Sequence, residues 1–253
     1  MTSIRCEDRA DDVRVVLLNR PDRRNALDLD DRLELLEVLS TAVEESRAIV
    51  LSGTGDTFCA GGDLASMTGD RSIARERLDV TNSIVRLLST GPRPVIAAVE
   101  GGAFGLGLGL AGACDVVVAG RSSRFGTAFA RVGLGPDTGV SFSLPARVGT
   151  ARARELLLSG RTVTAEEALR IGMVDELCDD GEAVATASLR AGRLATMSTA
   201  MVEAVKQVMA QGGAGLESRL AAETELQLTL LAGSDFAEGR RAFFERRTAD
   251  FRG

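Results

Sequence analysis

Two glycine-rich passages are the stretches of this sequence whose residue types could do chemistry. Residues 52–64 follow an apolar run at 48–51, and residues 101–109, which contain five glycines, follow another at 94–99. A glycine-rich turn that leads into a helix exposes backbone N–H groups without intrahelical partners, and such groups can hold a negatively charged atom. The two passages therefore predict two backbone donor sites that could converge on one ligand. Close packing of a helix on a sheet is the alternative explanation for the glycines.

The absence of histidine narrows the chemistry further. It excludes Ser-His and Cys-His nucleophilic sites, histidine metal ligands and histidine bases. Acid–base chemistry must then use carboxylates, cysteines, the single lysine Lys206 or the backbone. No two cysteines form a C-x-x-C pair, so we expect reduced thiols and no metal site. The four are Cys6, Cys59, Cys114 and Cys178.

Length and charge limit the class of protein. A chain of 253 residues suits one large domain, or a domain with a helical appendage. No apolar run approaches the ~20 residues of a membrane span, and residues 1–12 are charged rather than signal-like, so we expect a cytoplasmic protein without a membrane partner. The net charge of −6 argues against nucleic acid as a partner.

Apolar periodicity predicts the elements that must position the glycine-rich passages. The pattern indicates an α/β core, followed from about residue 140 by mostly helical sequence. The predicted strands are 3–7, 13–18, 48–51, 94–99, 116–119 and 173–177, and a short buried helix follows the glycines after 101. The other predicted helices are 29–43, 71–88, 140–148, 152–158, 164–171, 182–194, 199–210, 215–231 and 234–247.

Residues 107–112 satisfy G-x-G-x-x-G, a pattern that is typical of dinucleotide-binding sites. In a Rossmann unit the first glycine directly follows the strand, and a helix separates the first two strands. Here the strand ends near Glu100 and the next begins at Val116, which leaves no room for that helix. The context therefore disfavours a dinucleotide.

The loop at residues 19–27 carries three arginines, Arg20, Arg23 and Arg24. Guanidinium groups bind phosphate oxygens well, so these side chains could hold a polyanion. A solvated loop would show the same composition, and both interpretations stay open at this point.

Several segments, in order along the chain, resemble the crotonase or enoyl-CoA hydratase/isomerase superfamily. The resemblance covers nearly the whole chain. The matching segments are N-R-P-D-R-R-N-A-L-D from Asn19, F-C-A-G-G-D-L from Phe58, V-E-G-G-A-F-G-L-G-L-G-L-A-G-A-C-D from Val99, R-F-G from Arg124, G-L-G-P-D-T-G from Gly133, L-S-G-R-T-V-T-A-E-E-A-L-R-I-G-M-V-D from Leu158 and D-F-A-E-G-R-R-A-F-F-E-R-R from Asp235.

The resemblance implies an α/β fold, a crotonase-like spiral of β-β-α repeats over residues 1–195. It also implies a C-terminal helical region at 196–253 through which chains assemble as homotrimers or dimers of trimers. Such proteins bind acyl-CoA thioesters, so coenzyme A is expected as part of the substrate and no cofactor is bound permanently.

The resemblance also implies roles for individual residues. The thioester carbonyl would accept hydrogen bonds from the backbone N–H groups of Gly62 and Leu106, an oxyanion site that stabilises an enolate. The loop arginines Arg23 and Arg24 would line the CoA phosphates. Residues near the expected adenine position are Ala60, Asp63 and Leu64.

Departures from the family pattern bear on the reaction. Hydratases of this superfamily use two glutamates, whose positions here hold Gly109 and Phe129, and neither residue can exchange a proton. Some isomerases carry an acid in the loop where this chain has Asp137. We therefore expect Asp137 to shuttle a proton in an enoyl-CoA isomerase, although it could instead cap the helix that starts near Thr138. Hydration or lyase chemistry, thioester hydrolysis and a catalytically impaired acyl-CoA-binding protein are the alternatives.

Overall fold

The computed structural model describes residues 2–9, 12–211 and 215–252. Strands and helices alternate through the first two thirds of the chain, and helices occupy the remainder. The strands are β1 Ile4–Arg9, β2 Val13–Leu18, β3 Ala48–Gly53, β4 Val95–Val99, β5 Gly102–Phe104, β6 Val116–Gly120, β7 Arg124–Gly126, β8 Thr162–Thr164 and β9 Glu176–Cys178. The α-helices are α1 Leu29–Glu45, α2 Arg71–Thr90, α3 Leu106–Ala113, α4 Val140–Val148, α5 Thr150–Ser159, α6 Ala165–Arg170, α7 Ala183–Ala195, α8 Thr199–Ala210, α9 Leu216–Leu231 and α10 Ser234–Glu245.

The strands form two sheets. The larger has the order β1-β2-β3-β4-β6-β9, and the smaller has the order β5-β7-β8. In the larger sheet β1 is antiparallel to β2 and the other pairs are parallel. Two successive pairs, β4–β5 and β6–β7, each send their first strand to the larger sheet and their second to the smaller one. This alternation is the spiral repeat that the family resemblance implies.

Helices cover both faces of the larger sheet, and its central strands therefore consist of consecutive apolar residues. All five residues of β4 are buried. On one face, Ala183, Ala187 and Ala191 of α7 pack against Val50 and Ile96. Alanines four residues apart form a stripe of small side chains along α7, which lets the helix lie close to the strands.

Most predicted elements are confirmed, and a few differ in position or were not predicted. Strand β2 and helix α4 match residues 13–18 and 140–148. Thr164 caps α6 through the amide of Glu167, as its sequence signature predicts. The strand predicted at 173–177 forms later, as β9. The strands of the smaller sheet were not predicted, because each has three residues and two of them contain glycine.

The C-terminal helices expose much apolar surface in the single chain. Helix α9 has no buried side chain, and α10 buries only Ala242. None of the described helices is long and apolar enough to cross a membrane.

The single lysine fastens α8 to the larger sheet. The Nζ atom of Lys206 lies 2.7 Å from Oδ2 of Asp115 and 2.7 Å from the carbonyl oxygen of Arg93. The same carboxylate accepts a hydrogen bond from the amide of Val95, at the start of β4. The Lys206 side chain is only 5% exposed, so its amine is enclosed.

Candidate active site

The two glycine-rich passages meet because the first runs beside β5. The amide of Cys59 donates to the carbonyl oxygen of Gly102 at 3.0 Å, and the amide of Phe104 donates to that of Cys59 at 3.0 Å. Glycine at position 107 permits the contact, since a side-chain carbon there would lie 2.3 Å from the carbonyl oxygen of Cys59. The first passage is thereby held against the start of α3.

A second pairing fixes the backbone direction at Gly62. The amide of Leu27 donates to the carbonyl oxygen of Gly61 at 3.0 Å, and the amide of Asp63 donates to that of Leu27 at 3.1 Å. In an extended backbone successive N–H groups point to opposite sides. The N–H group of Gly62 therefore points away from Leu27.

The amides of Gly62 and Leu106 have no acceptor within the described parts of the chain. Leu106 is the first residue of α3, where N–H groups lack intrahelical partners. A carbon placed on Gly61 would lie 3.9 Å from the Leu106 nitrogen, so the two passages are close neighbours. Both predicted oxyanion donors line one cavity with a volume of about 90 Å³.

The walls of this cavity are mostly apolar. Two charged side chains, Arg32 and Asp137, reach it among the lining residues. The uncharged wall is formed by Ala60, Gly61, Leu64, Met67, Gly105, Ala128, Phe129, Val132 and Leu134. An apolar wall with a few polar groups is the usual composition of a small-molecule site.

Asp137 does not cap a helix, so that alternative is wrong. Helix α4 begins at Val140, its N-terminal cap is Gly139, and no side chain accepts a hydrogen bond from its first turn. The Asp137 carboxylate instead accepts a hydrogen bond from the Thr138 hydroxyl at 2.7 Å. The side chain is half-buried and lines the cavity with the two free amides.

Packing explains why a glycine stands at position 109. A side-chain carbon there would lie 2.5 Å from Cβ and 2.9 Å from the carbonyl oxygen of Thr138. Thr138 is buried and has φ of +56°, an uncommon conformation for a β-branched residue. The Asp137–Thr138 segment therefore occupies the space that a larger residue 109 would need. At the other substituted position, Phe129 lines the cavity.

The residues predicted to bind coenzyme A are distributed around the cavity mouth. Ala60 and Leu64 line the cavity. The Arg23 guanidinium lies 2.7 Å from the carboxylate of Asp63, which also accepts the Ala65 amide at 3.1 Å. Arg24 is exposed on the same loop. Their contacts with coenzyme A stay predictions.

Asn25 holds the arginine loop against the first glycine-rich passage. Its side chain is fully buried, and Nδ2 donates to the carbonyl oxygens of Thr54 at 2.9 Å and Thr57 at 2.6 Å. Its Oδ1 accepts the Arg20 amide at 2.8 Å. Asn25 thereby positions Leu27, which pairs with the backbone on both sides of Gly62.

Arg32 is a cavity residue that the sequence interpretation missed. Its side chain is 2% exposed, and it lies on α1 in the same stripe as the buried residues Leu35, Leu39 and Ala42. An arginine at an otherwise apolar position of an amphipathic helix was the signal that could have identified it. Burial lowers the pKa of Arg32 to about 10, so the side chain remains a cation at neutral pH.

The thiol nearest to the site cannot serve as a base at neutral pH. Cys59 is completely buried, and burial raises its pKa to about 12. No cluster of His, Cys, Asp or Glu that could hold a metal ion occurs among the described residues. The G-x-G-x-x-G residues 107–112 lie inside α3 rather than in a strand-to-helix turn, so the dinucleotide alternative lacks its loop.

Comparisons with known proteins show the family to which the chain belongs. The profile of the family described as enoyl-CoA hydratase/isomerase matches residues 8–253. A Rhodobacter capsulatus protein described as a probable enoyl-CoA hydratase is 39% identical, with 94% of each chain covered. The 1,2-epoxyphenylacetyl-CoA isomerase of Escherichia coli is 35% identical, with 95% of each chain covered.

Solved structures give the same result for the fold. The crystal structure of an enoyl-CoA hydratase from Polaromonas sp. JS666 superposes with a TM-score of 0.91 and 32% identity, covering 98% of this chain and 99% of its own. The predicted α/β spiral is thereby confirmed. The names of the similar proteins include both hydratases and isomerases, so similarity alone does not choose the reaction.

Proposed function

Because the chain belongs to the enoyl-CoA hydratase/isomerase family, we propose that it is an enoyl-CoA isomerase that moves a double bond through an enolate. One observation carries this proposal. Asp137 is the only acid among the described lining residues of the cavity that also contains the free amides of Gly62 and Leu106. A single carboxylate suffices to move one proton between two carbon atoms.

The proposed reaction begins when the thioester oxygen accepts hydrogen bonds from the amides of Gly62 and Leu106. Asp137 removes a proton from the α carbon of a 3-enoyl-CoA, and the electrons of that C–H bond pass to the thioester oxygen. Each preorganised donor lowers the barrier by ~2.7–4 kcal/mol, as for related oxyanion sites. Return of the proton to the γ carbon gives the 2-enoyl-CoA and restores the carboxylate.

Hydration is the main alternative, and the cavity favours it less. Syn addition of water in the usual family manner needs a second acid or base, and Gly109 and Phe129 stand at those positions. Each group that assists proton transfer contributes roughly 10²- to 10⁴-fold, so its loss is severe. Lyase chemistry, thioester hydrolysis or acyl-CoA binding without turnover would also fit the shared oxyanion site.

Product analysis in D₂O separates these activities. We expect 3-enoyl-CoA to become 2-enoyl-CoA with deuterium at carbon, which NMR and mass spectrometry detect. A 3-hydroxyacyl-CoA product would indicate hydration, and free CoA would indicate hydrolysis. Tight binding of acyl-CoA with no product would indicate a protein without catalytic activity.

Replacement of the proposed base is the direct test of its role. We expect Asp137→Asn to lower kcat by roughly 10²- to 10⁴-fold, because the amide cannot accept the proton, while acyl-CoA binding persists. Asp30→Asn, which changes an exposed acid of α1, is the matched control and should leave kcat unchanged. Unaltered turnover in Asp137→Asn would exclude the assignment.

The assembly and the CoA contacts belong to the same proposal. Arg23 and Arg24, on the loop beside Asp63, supply cations for the CoA phosphates. Ala60 and Leu64 supply apolar surface near the adenine. The exposed apolar side chains of α9 and α10 support assembly of a homotrimer or a dimer of trimers through residues 196–253.

A further inference from the structure

Arg32 is a buried cation that forms no ion pair in the described chain, although Asp137 and Asp28 favour its charge from a distance. Arg32 is only 2% exposed, yet no carboxylate of the described residues lies within ion-pair distance of it. Its Nε atom is buried without any hydrogen-bond partner. Enclosing a guanidinium without a paired anion costs several kcal/mol of desolvation free energy. A bound anionic ligand would offset that cost.

The guanidinium lies beside the proposed oxyanion donor. A side-chain carbon on Gly62 would lie 2.8 Å from Nη2 of Arg32, and Arg32 lines the cavity with Gly62. The Nη1 atom donates to the Thr81 hydroxyl at 2.8 Å, and Nη2 donates to the carbonyl oxygen of Leu27 at 3.3 Å. These two bonds use one hydrogen of each terminal nitrogen, which leaves the others for a ligand.

A second cation lies close by. Arg77 is one helical turn before Thr81 on α2, and therefore on the face that contacts Arg32. Its charge helps to lower the pKa of Arg32, after the larger effect of burial. No ion pair of Arg77 occurs in the described ranges. The two cations repel each other, and an anion bound between them would offset that repulsion.

We propose that Arg32, supported by Arg77, binds a free carboxylate on the acyl group of the substrate. The substrate class would then be short acyl-CoA thioesters of dicarboxylic acids. This proposal rests on the proposed function, since it needs the thioester oxygen at Gly62 and Leu106. The closeness of Nη2 to the position of Gly62 favours an acyl group with only a few carbons between the thioester and the carboxylate. A guanidinium binds a carboxylate through charge-assisted hydrogen bonds, for which Nη1 and Nη2 of Arg32 each retain one hydrogen.

The chain can lose Arg32 without leaving its partners unpaired. The Thr81 hydroxyl also donates to the carbonyl oxygen of Arg77, and the carbonyl oxygen of Leu27 also accepts the Asp63 amide. Replacement by methionine should therefore not weaken the folded protein. A structural role for the arginine predicts the opposite result.

Binding of isosteric thioesters to the full-length protein tests the proposal without turnover. Malonyl-, succinyl- and glutaryl-CoA are compared by calorimetry with isovaleryl-, 4-methylpentanoyl- and 5-methylhexanoyl-CoA, which carry an isopropyl group in place of the carboxylate. We expect at least one carboxylate ester to bind wild-type protein more tightly than its isostere. Arg32→Met should lose about 30-fold or more of that preference, the loss typical of removing one partner of a buried charge pair.

Two further variants make the result specific. Arg77→Met should reduce the preference by a smaller factor. Arg75→Met, which removes an exposed arginine of the same helix, should retain it. The melting temperature of Arg32→Met without ligand should equal or exceed that of wild type.

The outcomes separate this proposal from the one on which it rests. If wild-type protein binds each pair of esters equally, or if Arg32→Met weakens both members alike, the carboxylate site is wrong while acyl-CoA binding stands. If Arg32→Met lowers the melting temperature and leaves the preference intact, the arginine is structural and the site is wrong. If no acyl-CoA binds at all, the proposed function fails as well.

Discussion

At the scale of single residues, Asn25 shows that the arginine loop, which could bind a ligand, also holds the backbone of the site in place. It lies among arginines that resemble a phosphate loop, yet its amide is fully enclosed and bonds three backbone groups. Its φ of +56° places it in the left-handed region, which asparagine tolerates better than most residues. One side chain therefore fixes both a turn and the strand-like pairing beside Gly62.

Two substitutions at this position separate its side-chain bonds from its backbone conformation. Asn25→Gly should lower the free energy of unfolding by about 1–3 kcal/mol, because buried carbonyl oxygens lose their donor. Asn25→Ala should lower it by a further ~1 kcal/mol, since alanine is strained at positive φ. Urea denaturation measures both, and Asn82→Ala, at an exposed asparagine of α2, is the control.

Activity of the same variants tests the link to the oxyanion site. Displacement of the Gly62 amide by about 1 Å should reduce kcat by roughly 100-fold. A variant that loses stability but keeps full kcat at low temperature would show that Asn25 does not position Gly62.

At the scale of elements, the contact between α3 and the loop before α4 decides which acid reaches the cavity. The glycines of α3 let the backbone of Cys59 approach on one side and Thr138 on the other. Because Thr138 lies against Gly109, its neighbour Asp137 is held at the cavity wall. An acid on the loop and a large side chain at position 109 therefore exclude each other.

Alanine at two glycines of α3 tests this contact. Gly109→Ala should cost about 1–3 kcal/mol through overpacking and should sharply reduce isomerase activity, because the Asp137 loop must move. Gly112→Ala is the matched control, since a carbon there meets only the Ser143 hydroxyl at 3.0 Å, at the end of a side chain that can rotate. Equal activity in both variants would contradict the proposed role of the loop contact.

Sequence patterns correctly predicted those elements in which apolar side chains recur at regular spacing. Helix α1 and strand β2 were predicted within a few residues, because their apolar side chains recur at helical and alternating spacing. Strands β5, β7 and β8 were missed because pairing between distant segments, rather than local composition, makes them extended.

The same distinction applies to the site. The amides of Gly62 and Leu106 and the acid Asp137 were predicted as site residues from the resemblance, and the fold brings all three to one cavity. Arg32 was missed because only the packing of α1 against α2 turns a helix residue into a cavity wall. The role of Gly109 as a contact for Thr138 depends on a loop conformation that no local pattern reveals.

At the scale of the whole molecule, the exposed C-terminal helices predict an assembly. Phe243 and Phe244 of α10 are 77% and 71% exposed in the single chain. We expect light scattering to give three or six times the chain mass of 26.6 kDa. Phe243→Asp with Phe244→Asp should reduce that mass, whereas Leu158→Asp, at an exposed leucine of α5, should not. A wild-type monomer would contradict the prediction.

The buried thiols predict how stability depends on pH. Burial raises the pKa of Cys59 and of Cys114 from 9.0 to about 12. The unfolded chain therefore loses these protons first, so their contribution is complete below pH 9 and declines as the pH rises to 12. The slope for each thiol reaches about 1.4 kcal/mol per pH unit.

Urea denaturation at several alkaline pH values measures this slope. The double variant Cys59→Ala, Cys114→Ala should show a shallower decline than wild type, and the comparison removes the contribution of other groups. Parallel declines in the two proteins would exclude the thiols as the cause.

The environment of Lys206 has a consequence for a protein that handles activated acyl groups. Thioesters transfer their acyl group spontaneously to free amines, which is why lysines are common sites of acylation. This chain has one lysine, and its nitrogen is enclosed between Asp115 and a backbone carbonyl. Its other basic side chains are arginines, whose guanidinium groups are poor nucleophiles. The folded protein should therefore form no amide adduct at its lysine during prolonged incubation with acyl-CoA.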